Sequence, residues 1–150
     1  MESLYRLRSE KNIPSKFGTT EATITKDGSI LWRVRLNRLK EEFSFEAIDG
    51  DPVSFSHKYE YLFIKRTTLH VNSKEICTFT KRKTIIGNKE LRLNGKDQVT
   101  EDNDYICGID RPYRNETDKD VRLRWKLSRN EYEIPVAYYA CLTWVDPDRF

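Results

Sequence analysis

The sequence predicts an all-β protein, an antiparallel β-sandwich or flattened barrel of about eight strands. Alanine, the strongest helix former, occurs only at positions 22, 47, 137 and 140. Apolar residues alternate with polar ones along most of the chain, and no stretch repeats them at the spacing of a helix over three turns. Breakers such as Asp27-Gly28, Gly87-Asn88 and Asn94-Gly95 cut that alternation into strand-sized pieces.

The first pair is Thr20–Thr25 and Ser29–Leu36. Lys26-Asp27-Gly28 joins them, since Asp-Gly accepts the positive φ of a tight hairpin. On the second strand Ile30, Trp32, Val34 and Leu36 share one face, and Arg33 and Arg35 the other. A third strand, Glu41–Ile48, turns Phe43, Phe45 and Ala47 inward and stops at Asp49-Gly50-Asp51-Pro52. The run Val53–Val71 follows. At nineteen residues it is too long for one regular strand, so a bulge or break is expected near Lys65-Arg66-Thr67.

After a turn at Asn72-Ser73-Lys74 come Glu75–Ile86 and a short Glu90–Leu93 strand. The acidic stretch from Asp97 to Asp120 reads mostly as loop around a strand at Tyr105–Ile109. Val121–Ser128 sets Val121, Leu123, Trp125 and Leu127 against Arg122, Arg124 and Lys126. The last segment, Val136–Val145, is apolar on both faces and reads as a central strand covered on both sides, with Pro135 before it. The expected core holds Ile30, Trp32, Val34, Phe43, Phe45, Phe63, Leu123, Trp125, Leu127 and Leu142. Tyr5, Tyr113 and Tyr139 are expected at the surface.

With 150 residues, 37% of them hydrophobic, the chain has the length of one domain with one core. Residues 1–18 read as a loosely attached N-terminal arm and residues 19–150 as a single β domain. The first residues mix acids and bases without an apolar run, which predicts no signal peptide. No apolar stretch is long enough for a membrane span, and a cytoplasmic or nuclear location is expected.

Cys77, Cys107 and Cys141 are odd in number, form no CxxC pair and sit in apolar runs, as free core thiols in a reducing compartment do. With His57 and His70 as the sole histidines, no close ligand pair for zinc exists, and no metal site is expected. Neither a glycine-rich phosphate loop nor a nucleophile elbow occurs. The paired acids Asp49/Asp51 and Glu101/Asp102/Asp104 lie in turn-rich segments without an apolar pocket to raise a pKa. A non-catalytic protein without a cofactor is the expectation, with an enzyme as the lesser alternative.

Charge is segregated although the net value is only +3. Residues 1–40 carry +5, 41–52 carry −5, 53–96 carry +7, 97–120 carry −5 and 121–150 carry +1. Such patches steer charged partners even in a nearly neutral chain. Two strands repeat one pattern, an apolar face with a tryptophan and an outer face of bases. Arg33, Arg35, Arg122, Arg124 and Lys126, with Lys65 and Arg66, are therefore the candidate anion- or nucleic-acid-binding face, because guanidinium groups match phosphate geometry. The alternative for these arginines is cross-strand pairing with Glu42, Glu46 or Glu60. Glu101, Asp102, Asp104, Asp118 and Asp120 form the candidate acidic loop for a basic partner, with plain solvation as its alternative.

The expected function is a macromolecular binding module. A protein partner leads, reached through an exposed strand edge or by electrostatic docking. The alternative is binding of RNA, DNA or an anionic surface through phosphates. Long strand edges also leave a homodimer open.

Overall fold

The computed structural model describes residues 1–11, 13–39, 42–60, 64–80, 82–95, 97–112 and 119–145. Its hairpins follow from local turn chemistry. Asp27-Gly28, Asn72-Ser73 and Asp102-Asn103 each place two successive residues at positive φ, the conformation that lets a two-residue turn match the twist of its strands. The strands are β1 (Ser3–Arg8), β2 (Thr19–Lys26), β3 (Ser29–Asn37), β4 (Glu42–Ala47), β5 (Val53–Glu60), β6 (Ile64–Val71), β7 (Lys74–Thr80), β8 (Lys83–Ile86), β9 (Lys89–Asn94), β10 (Gln98–Glu101), β11 (Asp104–Asp110) and β12 (Val121–Leu127). A short 3₁₀ turn at Asn130–Tyr132 leads into helix α1 (Glu133–Val145).

All twelve strands are antiparallel to their sequence neighbours, and β1 pairs with β12, so the sheet closes into a barrel. The all-β antiparallel class is as expected; the architecture is a twelve-strand barrel and not an eight-strand sandwich. The added strands have identifiable sources. Val53–Val71 does break, into the antiparallel pair β5 and β6, but before Ile64 and not at Lys65-Arg66-Thr67, which lie inside β6. Glu75–Ile86 divides into β7 and β8, and the acidic stretch contributes β10 as well as β11. The segment expected as an arm supplies β1, which stands between β2 and β12 and closes the barrel. Among the described residues, β4–β5, β7–β8 and β11–β12 are each joined by two residue pairs.

The largest correction concerns the last segment. Val136–Val145 is helix, not strand, and it fills the lumen. Continuous burial is what both readings share. An apolar run buried all round shows neither strand nor helix period, so periodicity does not separate them. Val136, Ala137, Tyr139, Ala140, Cys141 and Trp144 have no exposed surface, and these positions run around much of the helix circumference. Pro135 sits in the first turn, where its missing N–H costs no helical hydrogen bond. A helix is about 10 Å across, and twelve strands enclose enough width for one, which eight would not.

Tyr138 is the aromatic hub of the lumen. Its ring lies 4.4 Å from Phe79, 4.9 Å from Phe55 and 5.6 Å from Phe43, centroid to centroid. On another wall Tyr5 stacks on Trp125 at 5.6 Å. Trp32, Val34, Phe43, Phe45, Leu123, Trp125 and Leu127 are buried as expected, and Leu142 is partly buried. Ile30 is instead 48% exposed. The β2–β3 register shifts between Ile24 and Thr25, so Leu31 is an extra residue and the alternation inverts below it. Tyr5 and Tyr139, expected outside, are both buried. Phe63 and Tyr113 lie outside the described residues.

Candidate functional site

Two ionic clamps position the mouth of α1. The Tyr5 hydroxyl donates to Glu133 Oε2 at 2.6 Å and Lys26 Nζ donates to the same oxygen at 2.8 Å. Burial, reinforced by the Glu133 carboxylate, pushes the Tyr5 phenol well above its ordinary range. In the second clamp Arg129 bridges Glu101 and Glu131, while the Tyr132 hydroxyl donates to Glu101 Oε1 at 2.7 Å. That bond and the Arg129 charge hold Glu101 below the usual carboxylate range, against its desolvation. Tyr132 is pushed up to about 12, first by burial and then by Glu101. The Arg129 guanidinium lies 4.6 Å from the Tyr132 ring centroid. These charged groups are thus committed to holding α1.

That commitment decides the acidic candidates. Glu101 is 8% exposed and belongs to the clamp. Asp102 turns the β10–β11 hairpin, accepts from the Glu90 N–H at 3.0 Å and lies 4.0 Å from Lys89. Asp104 starts β11 and is exposed. Asp120 is at the opposite end of the barrel, where its carbonyl accepts from the Ser9 N–H at 2.9 Å. Asp118 is outside the described residues. The acids expected as one partner loop therefore divide between the two ends of the barrel.

The basic candidates likewise occupy three walls. Arg33 and Arg35 stand exposed on β3, with Arg35 Nε 3.5 Å from Glu21. Arg122, on β12, is structural: its Nε donates to the Ser9 carbonyl at 2.8 Å and its Nη2 to the Glu10 carbonyl at 3.0 Å. Arg124 lies between Arg6 and Asp110 in the ladder, and Lys126 is exposed beside Leu4. Lys65 and Arg66 belong to β6, three strands away from β3 on its other side.

Register reveals a row that sequence reading missed. Lys58 on β5 faces Arg66 on β6, Arg66 faces Thr80 on β7, Thr80 faces Lys83 on β8, and Lys83 faces Arg92 on β9. Lys58, Arg66, Lys83 and Arg92 are all exposed, so the four bases stand in one row on the outer wall, with Thr80 between Arg66 and Lys83. With strands about 4.8 Å apart, the row is about 19 Å long. Glu90 lies 3.4 Å from Lys83 and 3.6 Å from Arg92, offsetting part of the charge. The basic excess of residues 53–96 was the available signal; its alignment required the register of β5 on β6 and of β7 on β8.

A groove of about 830 Å³ opens over β1, β2 and β3, walled by the loop after β1. Arg8, Lys11, Arg33 and Arg35 line it together with Glu10, Glu21, Glu46 and Asp120, and hydroxyls such as Thr23 lie between them. Among the described residues no group of His, Cys, Asp and Glu is arranged to hold a metal ion. None of their helices is long and apolar enough to cross a membrane. Comparison with protein-family models, curated proteins and solved structures gives no match to this chain.

Proposed function

We propose that this chain is a non-catalytic binding module that works through its outer barrel wall, and that the β5–β9 row engages the phosphates of a polyanion. The row of Lys58, Arg66, Lys83 and Arg92 carries this reading. Ladder pairing fixes its spacing, and its two arginines offer bidentate donors suited to phosphate oxygens. Nucleic-acid backbones and anionic membrane surfaces share this chemistry.

Fluorescence polarisation with labelled single-stranded RNA and duplex DNA tests it, alongside co-sedimentation with phosphatidylcholine vesicles containing phosphatidylserine. Four phosphate contacts predict a loss of about 50- to 150-fold in affinity between about 50 and 200 mM salt. The K83E/R92E double variant should lose binding with its fold intact. Absence of binding to all three probes, or binding indifferent to salt and to that variant, rejects the reading.

A protein partner, the leading expectation from sequence, has a different support. A closed barrel offers no free strand edge for β-addition, but the groove over β1–β3 mixes four bases with four acids. That balance suits a polypeptide of mixed charge better than a polyanion.

A further inference from the structure

The β1–β3 groove is built rather than incidental. Its outer wall, after β1, is fastened at Ser9, Glu10, Lys11 and Pro14 to three other parts of the molecule. Arg122 holds the carbonyls of Ser9 and Glu10 from β12. Trp144 of α1 donates from Nε1 to the Lys11 carbonyl at 3.3 Å, and Arg38 from Nη1 to the Pro14 carbonyl at 3.3 Å. A wall held in this way loses little freedom when a ligand binds, which favours affinity.

The floor has a defined polarity. In the ladder Arg8 faces Thr23, Thr23 faces Arg33, and Arg33 faces Glu46. Two arginines thus flank one hydroxyl, with backbones about 9.6 Å apart across two strand spacings. Arg33 forms no ion pair among the described residues, although Glu46 stands opposite it. Lys11 reaches the same space from the wall.

We propose that this groove binds a phosphorylated side chain carried on a segment of another protein, with the phosphate between Arg8 and Arg33 above the Thr23 hydroxyl. The inference rests on the protein-partner reading of the groove. A phosphomonoester supplies near-double negative charge and three acceptor oxygens for this set of donors. The phosphate fills only a small part of 830 Å³, and Glu21 and Glu46 then meet basic residues flanking the phosphorylated one.

The test is NMR titration of isotopically labelled full-length protein with a capped, lysine-flanked phosphoserine pentapeptide. Its unphosphorylated serine counterpart and inorganic phosphate serve as separate probes. Saturable shifts are expected at Thr23 and at the Arg33 side-chain N–H with the phosphopeptide. Arg33→Ala should weaken them about tenfold or more, while K83E/R92E leaves them unchanged. Equal binding of the serine peptide overturns phosphate recognition and leaves the protein-partner reading standing. Equal binding of inorganic phosphate removes the polypeptide. No shift with any probe, or shifts confined to β5–β9, overturns the site and removes the support it lends to a protein partner. Arg33 is exposed on β3, where substitutions ordinarily cost little stability, so Arg33→Ala tests binding rather than folding.

Discussion

Trp144→Ala is the sharpest test of a filled lumen. The side chain has no exposed surface, and its indole N–H reaches the Lys11 carbonyl. Removing a buried tryptophan costs about 3–5 kcal/mol in lost transfer energy and residual cavity. The lost hydrogen bond adds less than its nominal ~1 kcal/mol, because the freed carbonyl lies on a surface loop where water can replace the donor. In a chain of 150 residues each kcal/mol moves the midpoint by about 2–4 °C, so Tm should fall by about 6–20 °C. Thermal denaturation followed by circular dichroism measures it. Phe17→Ala, at a site 71% exposed, should change Tm by less than about 2 °C. A Trp144→Ala variant as stable as the parent would mean that α1 does not plug the barrel.

Two further outcomes follow from the clamps and the groove wall. Glu101 has a folded pKa below its unfolded value, so its stabilisation is complete above the unfolded carboxylate range near pH ~4.3 and is lost as pH falls through the folded value. Glu101→Gln should therefore flatten the acid limb of a Tm-against-pH curve below about pH 4.3, and an unchanged limb would refute the clamp. Arg122→Ala should cost about 1–3 kcal/mol in urea unfolding, because it strips donors from two carbonyls. Arg122→Lys should recover only part, since an ammonium lacks the planar fork that spans both. Full stability in Arg122→Ala would return this residue to the set of candidate ligand contacts.

Strand class and much of the facing pattern were legible in the sequence because they depend on local alternation. Trp32, Val34, Phe43 and Phe45 point inward as period two requires. What was illegible depended on events outside any one strand. The bulge at Leu31 turned Ile30 outward, and nothing in the alternation of β3 marks it. The helical state of α1 was obscured by its burial on every side. Ten apolar-rich residues exceed the usual length of a buried strand, and Pro135 with acids just before it resembles a helix start; those cues point the other way from alternation. Reading the tail as a strand left the lumen empty and made a sandwich the natural closure. The candidate bases failed to converge for a related reason. Arg33 and Arg122 look equivalent along their strands, yet one faces a groove and the other is spent on the Ser9 and Glu10 carbonyls.

The filled lumen has a consequence for how function and stability are distributed. Many small barrels bind ligands in the space that α1 occupies here, and a side chain lining such a cavity serves packing and recognition together. In this chain inward residues serve packing, while Lys58, Arg33, Lys83 and Arg92 stand on the exposed side of the same strands. Stability and binding then reside in alternate residues of each strand. Exposed bases can be changed at a cost within about 0.5 kcal/mol, whereas the adjacent inward positions cannot. The exceptions are where the two sets touch, at Arg122 and at the Trp144–Lys11 contact, which ties the plug directly to the groove wall. Trp144→Ala should therefore disturb the groove wall, whose Lys11 carbonyl it holds, while the β5–β9 wall keeps its contacts with Tyr138 and Tyr139 of α1.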